Sequence, residues 1–187
     1  MNTEELEQRL DGGHETQTFE IKAAMSWDHK TLAKDILAMS NVRDGGIIVV
    51  GVEDGTFARQ GVTGDQARTF DEDVMRDQMA MYADPHVDFM VEFPTDRRGL
   101  RYVVIRVQSF REIPVVCRKN SNDTKEGAIY YRTTNRRVQS AAVNNSYDMR
   151  EIITVAAMRT RARLLALGAV PAGDPFVDAL DDELEGL

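Results

Sequence analysis

Apolar positions along this chain fall at two spacings, and the switches between them mark out the elements. Leu6 and Leu10, four apart, give residues 2–10 the pattern of a short amphipathic helix, which Asp11-Gly12-Gly13 ends. From residue 18 to 21 the period becomes two. Phe19 and Ile21 lie on the face opposite Glu20 and Lys22, which predicts a strand. Ser26 or Asp28 can cap the next helix, which runs to about Ser40. Its Leu32, Ile36 and Met39, with Ala33 and Leu37 beside them, form an inward stripe. Asn41 and the Gly45-Gly46 pair stop it. Residues 47–52 then form a β-branched run, the pattern of a strand buried on both faces, and Asp54-Gly55 turns the chain.

The second half continues in the same manner. Residues 66–83 are helical by period, with Phe70, Val74, Met81 and Tyr82 as core positions and Asp84-Pro85 closing them. Residues 87–93 and 101–107 read as the two strands of a hairpin around a loop at 94–99. Residues 115–118 and 128–132 give two more strands. Asn145, with Asp148 three residues on, starts a helix carrying Ile152, Ile153, Ala156, Ala157, Leu164 and Leu165 and ending near Gly168. Pro171 and Gly173 introduce an acidic tail. The expected fold is α+β: a single domain with one mixed β-sheet flanked by helices.

Composition narrows the class. The 187 residues are 42% hydrophobic and 29% charged, enough for a sizeable core. No apolar run approaches the roughly 18 residues that would span a membrane. The first residues are acidic and do not form a signal peptide, and Cys117 is the single cysteine. A soluble, cytoplasmic protein with no membrane partner is expected. The net charge of −8 argues against a polyanionic partner, but its distribution argues for one. Residues 174–187 hold six acids and no base, while Arg97 to Arg137 holds eleven bases against three acids, a local +8.

One stretch carries candidate chemistry. Glu15, Glu20 and Lys22 form E-x4-E-x-K, and Glu20 and Lys22 point to one face of their strand. A third carboxylate, Asp54 or Glu53, sits just past the following strand. Carboxylates without histidine or cysteine favour a hard cation, Mg2+ or Mn2+, and a lysine beside them can stabilise charge on a phosphate. Gly46-x4-Gly51 has the glycine spacing of a P-loop but is followed by Val52-Glu53 where Lys and Ser/Thr belong, so it predicts turns and close strand approach instead. Arg118, Lys119, Arg132, Arg136 and Arg137 are the bases expected at a nucleic-acid backbone.

The ordered series Glu15-x4-Glu20-Ile21-Lys22, helix, Asn41-x3-Gly45-Gly46, Ile48-x2-Gly51-Val52-Glu53-Asp54 resembles the AlbA-like domain of the Schlafen family. Residues 128–135, with the Tyr130-Tyr131-Arg132 run, followed by Ala141-Ala142, look like that domain's closing strand and the helix after it. The resemblance covers residues 12–155. It leaves residues 1–11 as an N-terminal helix, 156–170 as the end of the C-terminal helix and 171–187 as the acidic tail. It implies a nucleic-acid-binding domain, with RNA favoured over DNA. In some Schlafen proteins the domain is a metal-dependent endoribonuclease acting on structured RNA such as tRNA. The implied ligands of Mg2+ or Mn2+ are then Glu15, Glu20 and Asp54, with Lys22 assisting at the phosphate. The alternative is a non-catalytic DNA- or RNA-binding or regulatory module whose acidic tail engages a protein partner. A single lobe of this kind is further expected to form a homodimer, with the helix from Asn145 as the contact.

Overall fold

A computed structural model describes residues 1–134 and 137–169. Helix α1 (Thr3–Asp11) begins at Asn2, whose side chain accepts the Glu5 N–H. Strand β1 (Phe19–Lys22) leads into α2 (His29–Ser40), capped by Asp28, and then into β2 (Gly46–Val50), which pairs with β1 in parallel. After α3 (Gly64–Arg68) and α4 (Glu72–Ala80) come β3 (Ala83–Asp84), β4 (Phe89–Glu92), β5 (Val103–Val107) and β6 (Val116–Cys117). The described chain closes with β7 (Tyr130–Thr133), β8 (Gln139–Ala142) and α5 (Ser146–Ala166). The main sheet has the order β1-β2-β5-β4, with β5 antiparallel to both neighbours, and β3-β6 and β7-β8 form two small ribbons. The architecture is α+β, as expected, with two additional ribbons beside the mixed sheet. No helix among the described residues is long and apolar enough to cross a membrane.

The period-two pattern of the strands decides which layer each side chain joins. Phe19, Ile21, Ile47, Val49 and Val104 face α1 and pack on Leu6 and Leu10. Ile48, Val50, Val103, Ile105 and Val107 face the other way and build the larger core with Leu32, Ile36 and Met39 of α2, Tyr130 and Tyr131 of β7, and Ile152 and Val155 of α5. Glu20 stands beside Ile48 and Lys22 beside Val50, so both charged side chains enter the layer of the larger core. The glycine pair after α2 is fixed by contact. A Cβ on Gly45 would lie 2.2 Å from the Val107 carbonyl oxygen, and one on Gly46 would lie 2.0 Å from Met39 Sδ.

Several expectations are corrected. The helix read over 66–83 is two helices, because Asp71 accepts the N–H groups of Asp73 and Val74 and starts a new one while Phe70 drops into the core. Ala141 and Ala142, read as leading a helix, lie in β8, paired with Tyr131 and Tyr130. Of the apolar positions on α5, only Ile152 and Val155 are buried, and Ile153, Leu164 and Leu165 are exposed.

Asn41 closes the larger core. It is fully buried, its Nδ2 donates to the carbonyls of Leu37, Val115 and Tyr130 at 3.2, 2.9 and 2.9 Å, and its Oδ1 accepts the Val115 N–H at 2.8 Å. One side chain thus serves the end of α2, the approach to β6 and the start of β7. Asn41→Ala should lower unfolding stability by about 3 kcal/mol, since it leaves several buried backbone groups without a partner. Urea denaturation measures this, and a loss under about 1 kcal/mol would mean that water replaces the amide.

Candidate functional site

The charged residues of β1 meet partners from three other segments. Lys22 Nζ donates to Glu20 Oε1 at 2.6 Å and lies 2.9 Å from Asp35 Oδ2 on α2. Arg132 of β7 pairs with the other Glu20 oxygen, and its second amino group donates to the carbonyls of Thr16 and Phe19 at 3.1 and 3.3 Å. Glu15 joins at the rim: one oxygen accepts the Ile21 N–H at 3.2 Å and the other lies 3.9 Å from Arg132. Gln17 then ties the approach to β1 onto β7 through the Tyr131 hydroxyl and the Arg132 carbonyl, at 3.0 and 3.1 Å.

This cluster is an interior one. Arg132 is 1% exposed, Glu20 6% and Asp35 4%. Burial, and then the Asp35 carboxylate, push Glu20 above the ordinary carboxylate range, against the pull of Lys22 and Arg132. Burial alone would lower Lys22, but Asp35 and Glu20 outweigh it and hold the ammonium above its ordinary value. Burial also pushes the Tyr131 phenol up to about 12.

The structure gathers Glu15, Glu20 and Lys22 into one cluster, adds Asp35, which sequence reasoning missed, and places Arg132 inside it rather than at the surface. Asp35 could have been found from its position: with Leu32, Ile36 and Met39 it occupies the inward stripe of α2, where an acid needs a buried cation. Arg132, expected at a phosphate, is withdrawn into the protein because Glu20 and the carbonyls of Thr16 and Phe19 claim its donors. Asp54 is on the exposed turn beyond β2, and Glu53 is held there by Thr56 Oγ1 at 2.5 Å. Among the described residues no three acids or histidines stand together as a metal site. A divalent cation needs free carboxylate oxygens in a field not already neutralised, yet both Glu20 oxygens contact cations. The arrangement of Glu15, Glu20 and Asp54 does not fit a bound Mg2+ or Mn2+.

The remaining basic candidates lie at the two ends of β7. Before it, Arg118 is exposed, its N–H bonded to the Tyr82 carbonyl, and Lys119 Nζ lies 5.2 Å from the centre of the Tyr82 ring. Lys125 is exposed on the same loop. After β7, Arg137 is exposed on the way to β8, and Arg136 lies outside the described residues. Of the other bases of the positive stretch, Arg106 pairs with Glu5 and Glu92 and Arg111 with Asp88, while Arg97, Arg98 and Arg101 are exposed between β4 and β5.

Arg132→Met should cost about 3–5 kcal/mol, the usual result of stranding a buried charge, and Glu20→Gln combined with Arg132→Met should recover much of it. A double-mutant cycle by denaturation measures the coupling, and additive losses would dismantle the ionic account. The Lys22 shift gives a second check. A raised folded value contributes stability that is complete below the unfolded value, about 10.4, and is lost as pH climbs through the folded value. The stability difference between wild type and Lys22→Met should therefore stay flat through neutral pH and shrink in strongly alkaline solution.

Comparison with known proteins agrees with this fold. No curated protein matches the sequence. The crystal structure of the DIP2311 protein from Corynebacterium diphtheriae shares the fold with a TM-score of 0.51 and 18% identity, over 78% of this chain and 27% of that one. This chain thus corresponds to about a quarter of that protein's length. The Schlafen AlbA_2 family model matches residues 15–141, a span that includes β1, the α2 crossover, the whole main sheet and all but the last residue of the β7-β8 ribbon. With two thirds of its length inside that match, the chain belongs to the Schlafen AlbA_2 family, whose domain type points to nucleic-acid binding.

Proposed function

We propose that this protein binds nucleic acid through the loops at the two ends of β7, with structured RNA as the preferred class, and that its buried carboxylates hold the binding strand in place rather than cut the backbone. The observation that carries this reading is the division of labour among the bases. Arg132 is consumed inside by Glu20, whereas Arg118, Lys125 and Arg137 remain exposed on either side of the strand it anchors. Phosphate contacts of this kind supply affinity without reading sequence. The ordered β7 spares the loops part of the entropy that a floppy basic segment would lose on binding.

The hydrolytic reading has one observation in its favour, that Glu15 and Glu20 do meet at Arg132. A Mg2+- or Mn2+-dependent endoribonuclease would need Lys22 and Arg132 to release those oxygens and Asp54 to move in. Incubating tRNA with the protein and Mn2+ separates the two readings. Retention without cleavage is expected, and cleavage lost in Glu20→Ala would establish the nuclease instead.

Binding should weaken steeply with salt. Arg118→Ala, Lys125→Ala and Arg137→Ala should each reduce affinity several-fold on all sequences alike and lower the salt slope by about one. Fluorescence anisotropy with an RNA hairpin and a DNA duplex of equal length checks both. Unchanged affinity in all three variants would place the binding face elsewhere.

A further inference from the structure

Beyond Ala156, α5 leaves the body of the domain: every described residue from 157 to 169 is exposed or half-buried. Arg159 and Arg163 tie its inner side down. Arg159 donates to the Arg43 carbonyl at 2.7 Å and lies over the Phe110 ring, and Arg163 pairs with Glu112. A different side carries Ile153, Ala157, Thr160, Leu164 and Leu167, whose spacing puts them in one stripe. All five are exposed, Ile153 by 57% and Leu167 by 67%. Helical propensity alone holds so short a projecting segment only marginally, so this stripe calls for a cover.

Charge and length identify the cover. Arg150 and Arg161 flank the stripe, which fits an acidic partner better than a second α5 of the same sign. At its end the chain turns off the helix axis. Gly168, at φ +65°, donates to the Leu165 carbonyl at 3.0 Å, and Ala169 donates to that of Leu164 at 2.9 Å. Shortly afterwards the sequence supplies Phe176, Leu180, Leu184 and Leu187 at helical spacing, among six acids and no base over residues 174–187. Those fourteen residues would span about 21 Å as a helix, the length of the stripe they would have to cover. The link between the two stretches suits a helix-to-helix connection.

We infer that residues 174–187, which lie outside the described residues, dock back along the Ile153–Leu167 stripe of their own chain. Their leucines cover its apolar positions and their carboxylates face Arg150 and Arg161. The tail is then a stabilising cover for α5 and leaves the basic loops around β7 open to nucleic acid.

Hydrogen exchange on the full-length chain tests this. Leu180→Asp with Leu184→Asp should speed amide exchange over residues 157–167 by about tenfold while α2 exchanges as before. Arg150→Glu with Arg161→Glu should do the same, and adding Asp178→Arg with Asp182→Arg should restore protection. Exchange over 157–167 unaltered by the leucine substitutions would overturn the proposal, and unchanged exchange in α2 shows that the domain itself stays folded. Sedimentation of the same proteins settles the occupant. A monomer in wild type and variant is expected. A dimer that the leucine substitutions dissociate would place the tail on a second copy and overturn docking within one chain.

Discussion

The carboxylate of Glu20 sits in a layer of aliphatic and aromatic side chains, and the structure around it follows from having to neutralise it there. An ionised carboxylate taken out of water is costly unless cations and donors replace its hydration. Lys22 supplies one from the same strand and Arg132 another from a segment 112 residues away. Because Lys22 also reaches Asp35, the same charges fix β1 against α2, and because Arg132 reaches the carbonyls of Thr16 and Phe19 they fix β7 against β1 and the turn before it. The attractions hold only when these elements occupy one mutual position, so they specify geometry more than they add stability.

The same economy governs the edges of the main sheet. An exposed strand edge invites pairing with another chain. On the β1 side, Arg132 takes the carbonyls of Thr16 and Phe19. On the β4 side, Glu72 accepts the Val91 N–H at 2.9 Å and Arg76 donates to the Phe89 carbonyl at 2.8 Å, the two side chains also pairing with each other at 2.5 Å. Side chains from a helix and a ribbon thus occupy positions that a fifth and sixth strand would take. Asn41 does the corresponding work inside, serving backbone groups where α2, the approach to β6 and β7 meet.

This internal use of charge bears on function. A strand end crowded with carboxylates suggests metal-assisted chemistry when read along the sequence. In space two of the three proposed ligands are balanced by cations and the third lies on a separate turn. What remains for a partner includes the exposed bases at either end of β7, Arg118, Lys125 and Arg137. Affinity for a polyanion can reside there although the whole chain is acidic, since a phosphate backbone responds to the local field within a Debye length, about 8 Å at physiological salt.

The sequence by itself determined α1, α2, α5 and the four strands of the main sheet in their order, the two faces of those strands and the family. Those depend on short-range periodicity, capping and the fixed spacing of Glu15, Glu20, Lys22, Asn41 and the glycines. It also determined that Glu20 and Lys22 share a face, because a strand alternates. It could not decide where the Arg132 guanidinium goes, that Asp35 would join Lys22, or that Asp54 would stand apart. Each of these is set by which distant segments pack together. A charge facing solvent and one facing a buried counter-charge look alike in a local pattern. Helix α5 is the same lesson on the apolar side: its leucines look like core residues by spacing, and only the extent of the domain beneath them leaves those past Ala156 exposed.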